Sequence, residues 1–207
     1  MREMFIKGGP VMWPLLGCSL VALAVIIERL LFWVRSGRRR VRGAAPVARV
    51  LDLSRQRDFD KALELADRTA NSVARVLAAG LRRRGPGQGD HLAVAAEDEL
   101  ASMRRGMAVL DTIVTIAPLL GILGTVTGII GAFEMLGGSE IQEPKAVVGG
   151  LAQALITTAA GLIIAIGTVI PFNLFRARIG EEAKRIESAA TLLEAACRQA
   201  QENDRAS

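Results

Sequence analysis

Charge is missing from three long stretches of this sequence. Residues 8–27, 112–133 and 146–175 contain no Asp, Glu, Lys, Arg or His. These runs of 20, 22 and 30 residues each reach the roughly 20 apolar residues with which a helix crosses about 30 Å of hydrocarbon. Aromatic residues are scarce, 4% of the chain, and tyrosine does not occur. Two cysteines, Cys18 and Cys197, are too few for a disulfide framework or a metal site. The lone histidine, His91, stands apart from both and from any cluster of acids. No Gly-rich phosphate loop followed by Lys-Ser/Thr is present. Together these absences exclude an ordinary soluble enzyme, an intrinsically disordered chain and a secreted disulfide scaffold. No catalytic residue, metal or cofactor is expected.

What is present is strongly segregated. The 207 residues are 51% apolar and 23% charged, with a net charge of +5 and a mean hydropathy of +0.33. Between the first two uncharged runs, residues 35–105 hold sixteen Arg or Lys against nine acids. Such an excess marks the cytoplasmic side of a membrane protein. The expected topology is therefore a periplasmic N-terminus (1–9), a first span (10–34) and a cytoplasmic helical loop (35–105). A second span (106–136), a periplasmic connection (137–145), a third span (146–175) and a cytoplasmic tail (176–207) follow. The connection is net acidic, with Glu134, Glu140 and Glu143 against Lys145, as the rule requires. The basic run Arg38, Arg39, Arg40 and Arg42 is read as a topology determinant touching anionic lipid headgroups. Nucleic acid is not an expected partner, because no aromatic side chains interleave with these arginines as stacking platforms. The first run ends in Glu28-Arg29 without a small-residue cleavage site and is read as an uncleaved span.

Helical patterning fills the polar segments. Val47, Val50, Leu51 and Leu53, then Phe59, Ala62, Leu63 and Ala66, recur near a 3.6-residue period, and Asp58 is placed to N-cap the second group. Val73, Val76, Leu77 and Leu81 suggest a third helix, closed by the breaker cluster Gly85-Pro86-Gly87-Gln88-Gly89. Asp90 is a candidate N-cap, and nothing after it stops a helix, so residues 91–136 are expected to form one long helix. Residues 176–200 should continue the third span as a charged helix. The expected fold is an all-α membrane protein with three transmembrane helices, spans two and three extending into a cytoplasmic helical bundle.

Small residues stripe the second and third spans. Ala117, Gly121, Gly124, Thr125, Gly128 and Gly131/Ala132 share one helical face, and Gly150, Ala154, Thr157/Thr158, Gly161, Ala165 and Thr168 share another. In lipid such faces let backbones approach closely, so the two spans should pack on each other or on identical neighbours. Pro118 is a candidate kink, since it frees the carbonyl of Val114. The stripes carry hydroxyl and amide groups at Thr115, Thr125, Gln153, Thr157 and Thr158, the candidate lining of a hydrated proton path, with Asp111 and Thr112 towards the inner end. No Asp, Glu, His, Lys or Arg sits in the middle of any span, although proton carriers normally need such a group there. A hydroxyl can relay a proton but cannot store it, so a titrating carboxylate would have to come from another polypeptide.

The run from Ala117 through Pro-Leu-Leu-Gly-Ile-Leu-Gly-Thr-Val-Thr-Gly-Ile-Ile-Gly-Ala to Phe133 resembles a known second-span signature. Gln153-Ala-Leu-Ile-Thr-Thr-Ala-Ala-Gly-Leu162, continuing to Ala165-Ile166 and Asn173, resembles the matching third-span signature. Lys7-Gly8-Gly9-Pro10 and Glu28-Arg29 are similar as well. These are signatures of the ExbB/TolQ branch of the MotA/TolQ/ExbB proton channel family. The resemblance implies a homo-pentamer in the bacterial inner membrane whose second and third spans line a central pore. It implies an ExbD/TolR-like partner whose membrane Asp carries the proton, and a TonB- or TolA-like protein that receives the work. Thr125 and Thr158 match the family's pore threonines. The chain departs from common family patterns at Gln153, where some members have Glu, at Gly167, where Pro is usual, and at Thr127, where many have Trp. Two other functions compete: a flagellar-stator-like subunit, which would have four spans, and a non-conducting membrane scaffold.

Overall fold

The computed structural model describes residues 8–85, 87–136 and 144–206. The expectations for residues 1–7, for Pro86 and for the 137–143 part of the connection, Glu140 and Glu143 included, lie outside the described residues. Every element among the described residues is an α-helix: α1 (Met12–Arg55), α2 (Phe59–Arg68), α3 (Ser72–Arg82), α4 (Gln88–Arg104), α5 (Met107–Leu136) and α6 (Pro144–Ala206). Three stretches are long and apolar enough to cross a membrane, Met12–Gly37, Met107–Glu134 and Val148–Ala200, and in the last of these charge resumes at Arg176. The chain is an all-helical, multi-pass membrane protein.

Two compact units divide the chain. The first takes α1 as far as Arg29, all of α5 and α6 as far as Phe175; the second takes the remainder. Side chains at the surface of the first unit are apolar, among them Leu20, Leu123, Leu155 and Ile163. That is the reverse of a soluble protein and suits contact with lipid or other apolar helices.

The second unit has an ordinary water-soluble plan, with an apolar centre and charged surface. Val50 and Leu53 from α1, Ala62 and Ala66 from α2, and Val73, Val76, Leu77 and Leu81 from α3 converge on Leu92 of α4 and Ile186 and Leu193 of α6. Those from α1, α2 and α3 are periodic positions of the sequence, whereas Leu92, Ile186 and Leu193 are not among them. Polar contacts rim the core. Arg75 holds the carboxylate of Glu99 with two nitrogens, Arg82 reaches Asp67 at 2.7 Å, and Ser72 donates to the buried Glu182 at 2.6 Å.

The helix ends follow from local chemistry. At the α1–α2 corner Arg57 adopts a left-handed conformation, φ 63°. The amide of Asp58 then reaches the Leu53 carbonyl at 3.0 Å and that of Arg57 the Ser54 carbonyl at 3.1 Å. This is a Schellman closure with arginine in the place glycine usually takes. Asp58 caps α2 as expected, accepting from the Lys61 amide. Asn71 caps α3, its side chain accepting from the Val73 amide at 2.9 Å.

Three boundaries differ from expectation. Helix α1 does not stop after the first span but continues through the Gly- and Arg-rich segment and Pro46; a lone proline forfeits one hydrogen bond without ending a helix whose flanks are strong. Helix α4 begins at Gln88, behind a left-handed Gly87 rather than at Asp90. The single helix expected over 91–136 is two, α4 and α5, broken at Gly106 with φ +76°. A glycine inside a helical pattern is compatible with either outcome, which is why periodicity alone ran across it.

Candidate functional site

Helices α5 and α6 meet through residues that have almost no side chain. A Cβ built on Gly161 would lie 2.5 Å from the Ala117 carbonyl oxygen, and one on Gly128 would lie 3.0 Å from the Gly150 carbonyl oxygen. On Gly121 it would fall 3.0 Å from the Cα of Thr158, and on Gly150 2.9 Å from the Cβ of Ala132. The space over Gly124 is filled by the side chain of Thr157. Backbone thus touches backbone along the pair, the close approach that small residues permit in an apolar solvent. The two stripes read from the sequence pack on each other. Gly131, Gly149 and Gly167, by contrast, face open space.

This pairing places the threonines. Thr158 lies half-buried, and its hydroxyl donates across the pair to the Gly121 carbonyl at 2.9 Å. Thr157 is fully buried and donates within its own helix to Ala154 at 2.8 Å. Thr125, half-buried one turn beyond Gly121, donates to the Ile122 carbonyl at 2.6 Å. Thr115 is exposed and bonds the Asp111 carbonyl at 3.1 Å, taking no part in the cluster. Pro118 lies inside α5, which continues through it.

Gln153 sits elsewhere. Its amide packs against the backbone of Gly9, a residue held at φ +69°, where a Cβ would collide with the Gln153 side chain. Gly9 and Gln153 lie far apart in the chain, and nothing in their local sequence signals that they meet. Thr168, nearly buried, donates to Ile164 at 2.7 Å and belongs to the same stripe. Among the described residues, no group of three or more His, Cys, Asp or Glu is placed to hold a metal ion. The chemistry available along the pair is that of hydroxyl and carbonyl oxygens in an uncharged setting.

Comparison with known proteins agrees with this geometry. The profile of the MotA/TolQ/ExbB proton channel family matches residues 68–188, a span that contains α5 and the paired part of α6. The chain belongs to this family. A Synechocystis sp. protein named as ExbB-like 1, for biopolymer transport, is 40% identical over 177 residues, covering 82% of this chain and 68% of that protein. The biopolymer transport protein ExbB of Xanthomonas campestris pv. campestris is 42% identical over 81 residues, 39% of this chain and 32% of its own. The Tol-Pal system protein TolQ of Haemophilus influenzae is 36% identical over 86 residues, 42% of this chain and 38% of its own. The relatives are transport and channel proteins of the ExbB/TolQ type.

Proposed function

We propose that the chain is the pore-forming subunit of a proton-driven motor in the bacterial inner membrane. In this role an ExbD/TolR-like companion supplies the acid that carries the proton. Five copies surround that companion, with the N-terminus periplasmic and the C-terminus cytoplasmic. The work passes to a TonB- or TolA-like protein for outer-membrane transport or envelope maintenance. One observation carries this proposal: α5 and α6 form a close pair that bears hydroxyl groups and, in its paired stretch, no titratable side chain. Membrane-embedded acids mark proton paths, so here the acid has to be brought in. Half-exposed Thr125 and Thr158 take the lining role. Buried Thr157 supports the packing, Gln153 positions the N-terminal turn, and Thr115 stands towards the mouth. The driving force is adequate in kind, since each charge moved through 100 mV releases about 2.3 kcal/mol.

Reconstitution in liposomes tests this. Proton uptake should require both the chain and its companion subunit. Thr125→Val and Thr158→Val should assemble normally and abolish the uptake. Full flux in both variants, or no flux in any combination, overturns the proposal, and the second result favours a non-conducting scaffold.

A further inference from the structure

A cavity of about 250 Å³ opens in the second unit, where the first turn of α4 meets the end of α6. Gly85, Gly87, Gln88 and Gly89 form one wall, Glu194 and Arg198 the other. Among the described residues no aromatic ring and no apolar side chain lines it. Helix α4 opens there behind Gly87, at φ 84°, and no side chain caps it. A helix start of that kind presents amide hydrogens and partial positive charge.

The polar groups around this cavity are poorly served by the chain itself. Gln88 is 7% exposed. Its Nε2 is spent on the Gly80 carbonyl at 3.1 Å and the Cys197 sulfur at 3.3 Å. Its Oε1 accepts no hydrogen bond among the described residues, although a buried amide oxygen ordinarily has a donor. Glu194 and Arg198 stand four residues apart on α6, a spacing at which opposite charges commonly pair. Here they form no ion pair, with each other or with another described residue. The Glu194 carboxylate leans instead over α4, where a Cβ on Gly89 would lie 2.9 Å from its Oε1. One wall thus carries an acid and a base held apart, and the other an unserved oxygen.

These three groups define the ligand. A simple anion would meet Glu194 as well as Arg198, and a simple cation would meet Arg198 as well as Glu194. A water molecule would serve Gln88 and leave both charges unmatched. A nucleotide would find no ring on which to stack its base. A molecule with one ammonium and one carboxylate serves all three, and an α-amino acid carries both on a single carbon. We propose that the α4–α6 cavity binds a free α-amino acid with a small polar side chain. Arg198 holds its carboxylate, and its ammonium donates to Glu194 and to Oε1 of Gln88. The site owes nothing to the channel proposal and is tested separately from it.

Calorimetric titration of the full chain, purified in detergent, is the experiment. L-serine and L-asparagine are the probes, with acetate and methylamine as half-ligands. The amino acids should bind saturably at a single site. Acetate and methylamine should each bind at least about ten-fold more weakly, since each lacks one charge-assisted contact. Glu194→Gln and Arg198→Gln, at side chains outside the core, should each weaken amino-acid binding about ten-fold, as for loss of a hydrogen bond to a charged group. Cys197, buried behind Gln88, gives a second reading. In a Cys18→Ala background, L-serine at about four times its dissociation constant should slow alkylation of Cys197 by N-ethylmaleimide about five-fold. Half-ligands that bind as tightly as the amino acids overturn the proposal, and so does binding unchanged in both variants. Alkylation that ignores bound L-serine places the ligand elsewhere and overturns it as well. No binding at millimolar amino acid does the same, and leaves Glu194 and Arg198 to serve each other.

Discussion

The hydroxyl of Thr158 donates to the carbonyl of Gly121 across the α5–α6 pair at 2.9 Å. That bond depends on residue 121 being glycine, because a Cβ there would stand 3.0 Å from the Cα of Thr158. Packing and polar chemistry are therefore the same feature seen from two sides. Bringing the backbones together is what lets a hydroxyl on one helix reach a carbonyl on the other.

Glycines at the contact should behave differently from glycines in the open. Gly161→Ala places a methyl group 2.5 Å from the Ala117 carbonyl, backbone that cannot step aside, and overpacking of this kind costs about 1–3 kcal/mol. Gly131→Ala and Gly167→Ala meet nothing within 4 Å and should be neutral. Detergent-titrated unfolding followed by circular dichroism measures all three, and equal behaviour would refute the pairing described.

Gly106→Ala should separate conformational strain from helix propensity. The residue sits at φ +76° with Val25 2.9 Å from where a Cβ would be, and a left-handed non-glycine residue costs about 1–2 kcal/mol. Helix propensity alone would make alanine stabilising. A lowered thermal midpoint shows that the break between α4 and α5 is built in; a raised one shows that the two can fuse.

Asn71→Ala removes the cap of α3. The side chain is buried and holds the Val73 amide at 2.9 Å, and loss of an asparagine cap typically costs about 1 kcal/mol. Hydrogen exchange should quicken first at the start of α3. Asn71→Asp should retain most of the protection.

The cap of α2 should respond to acid. A hydrogen bond from Lys61, with Nζ 2.5 Å from Oδ2, holds the Asp58 carboxyl below its ordinary range. With the folded value below the unfolded one, this contribution is present above the ordinary aspartate range and fades as pH falls through the lowered value. Exchange at the Lys61 amide across an acid titration reads it directly. Asp58→Asn should keep the cap and lose that pH dependence.

Much of this was legible in the residues, for a physical reason. Lipid demands uncharged runs, and glycine in an apolar helix has few uses besides close packing, so the spans and the facing stripes declared themselves. The α2 cap at Asp58 and the buried positions from Val50 to Leu81 followed from spacing. The stopping points of helices did not. Pro46 leaves α1 unbroken while Gly106 divides α4 from α5, and local propensity does not rank those two outcomes. The meeting of Gly9 with Gln153 was equally hidden, since it joins residues far apart in the chain and needs the helix pair in place first.

The corner between α1 and α2 leaves no residue idle. Gln56 bonds back to Asp52, Arg57 supplies the left-handed turn, and Asp58 closes one helix while opening the next. A reporter tag or a one-residue length change inserted there would rotate Phe59, Ala62 and Ala66 out of their seats in the core.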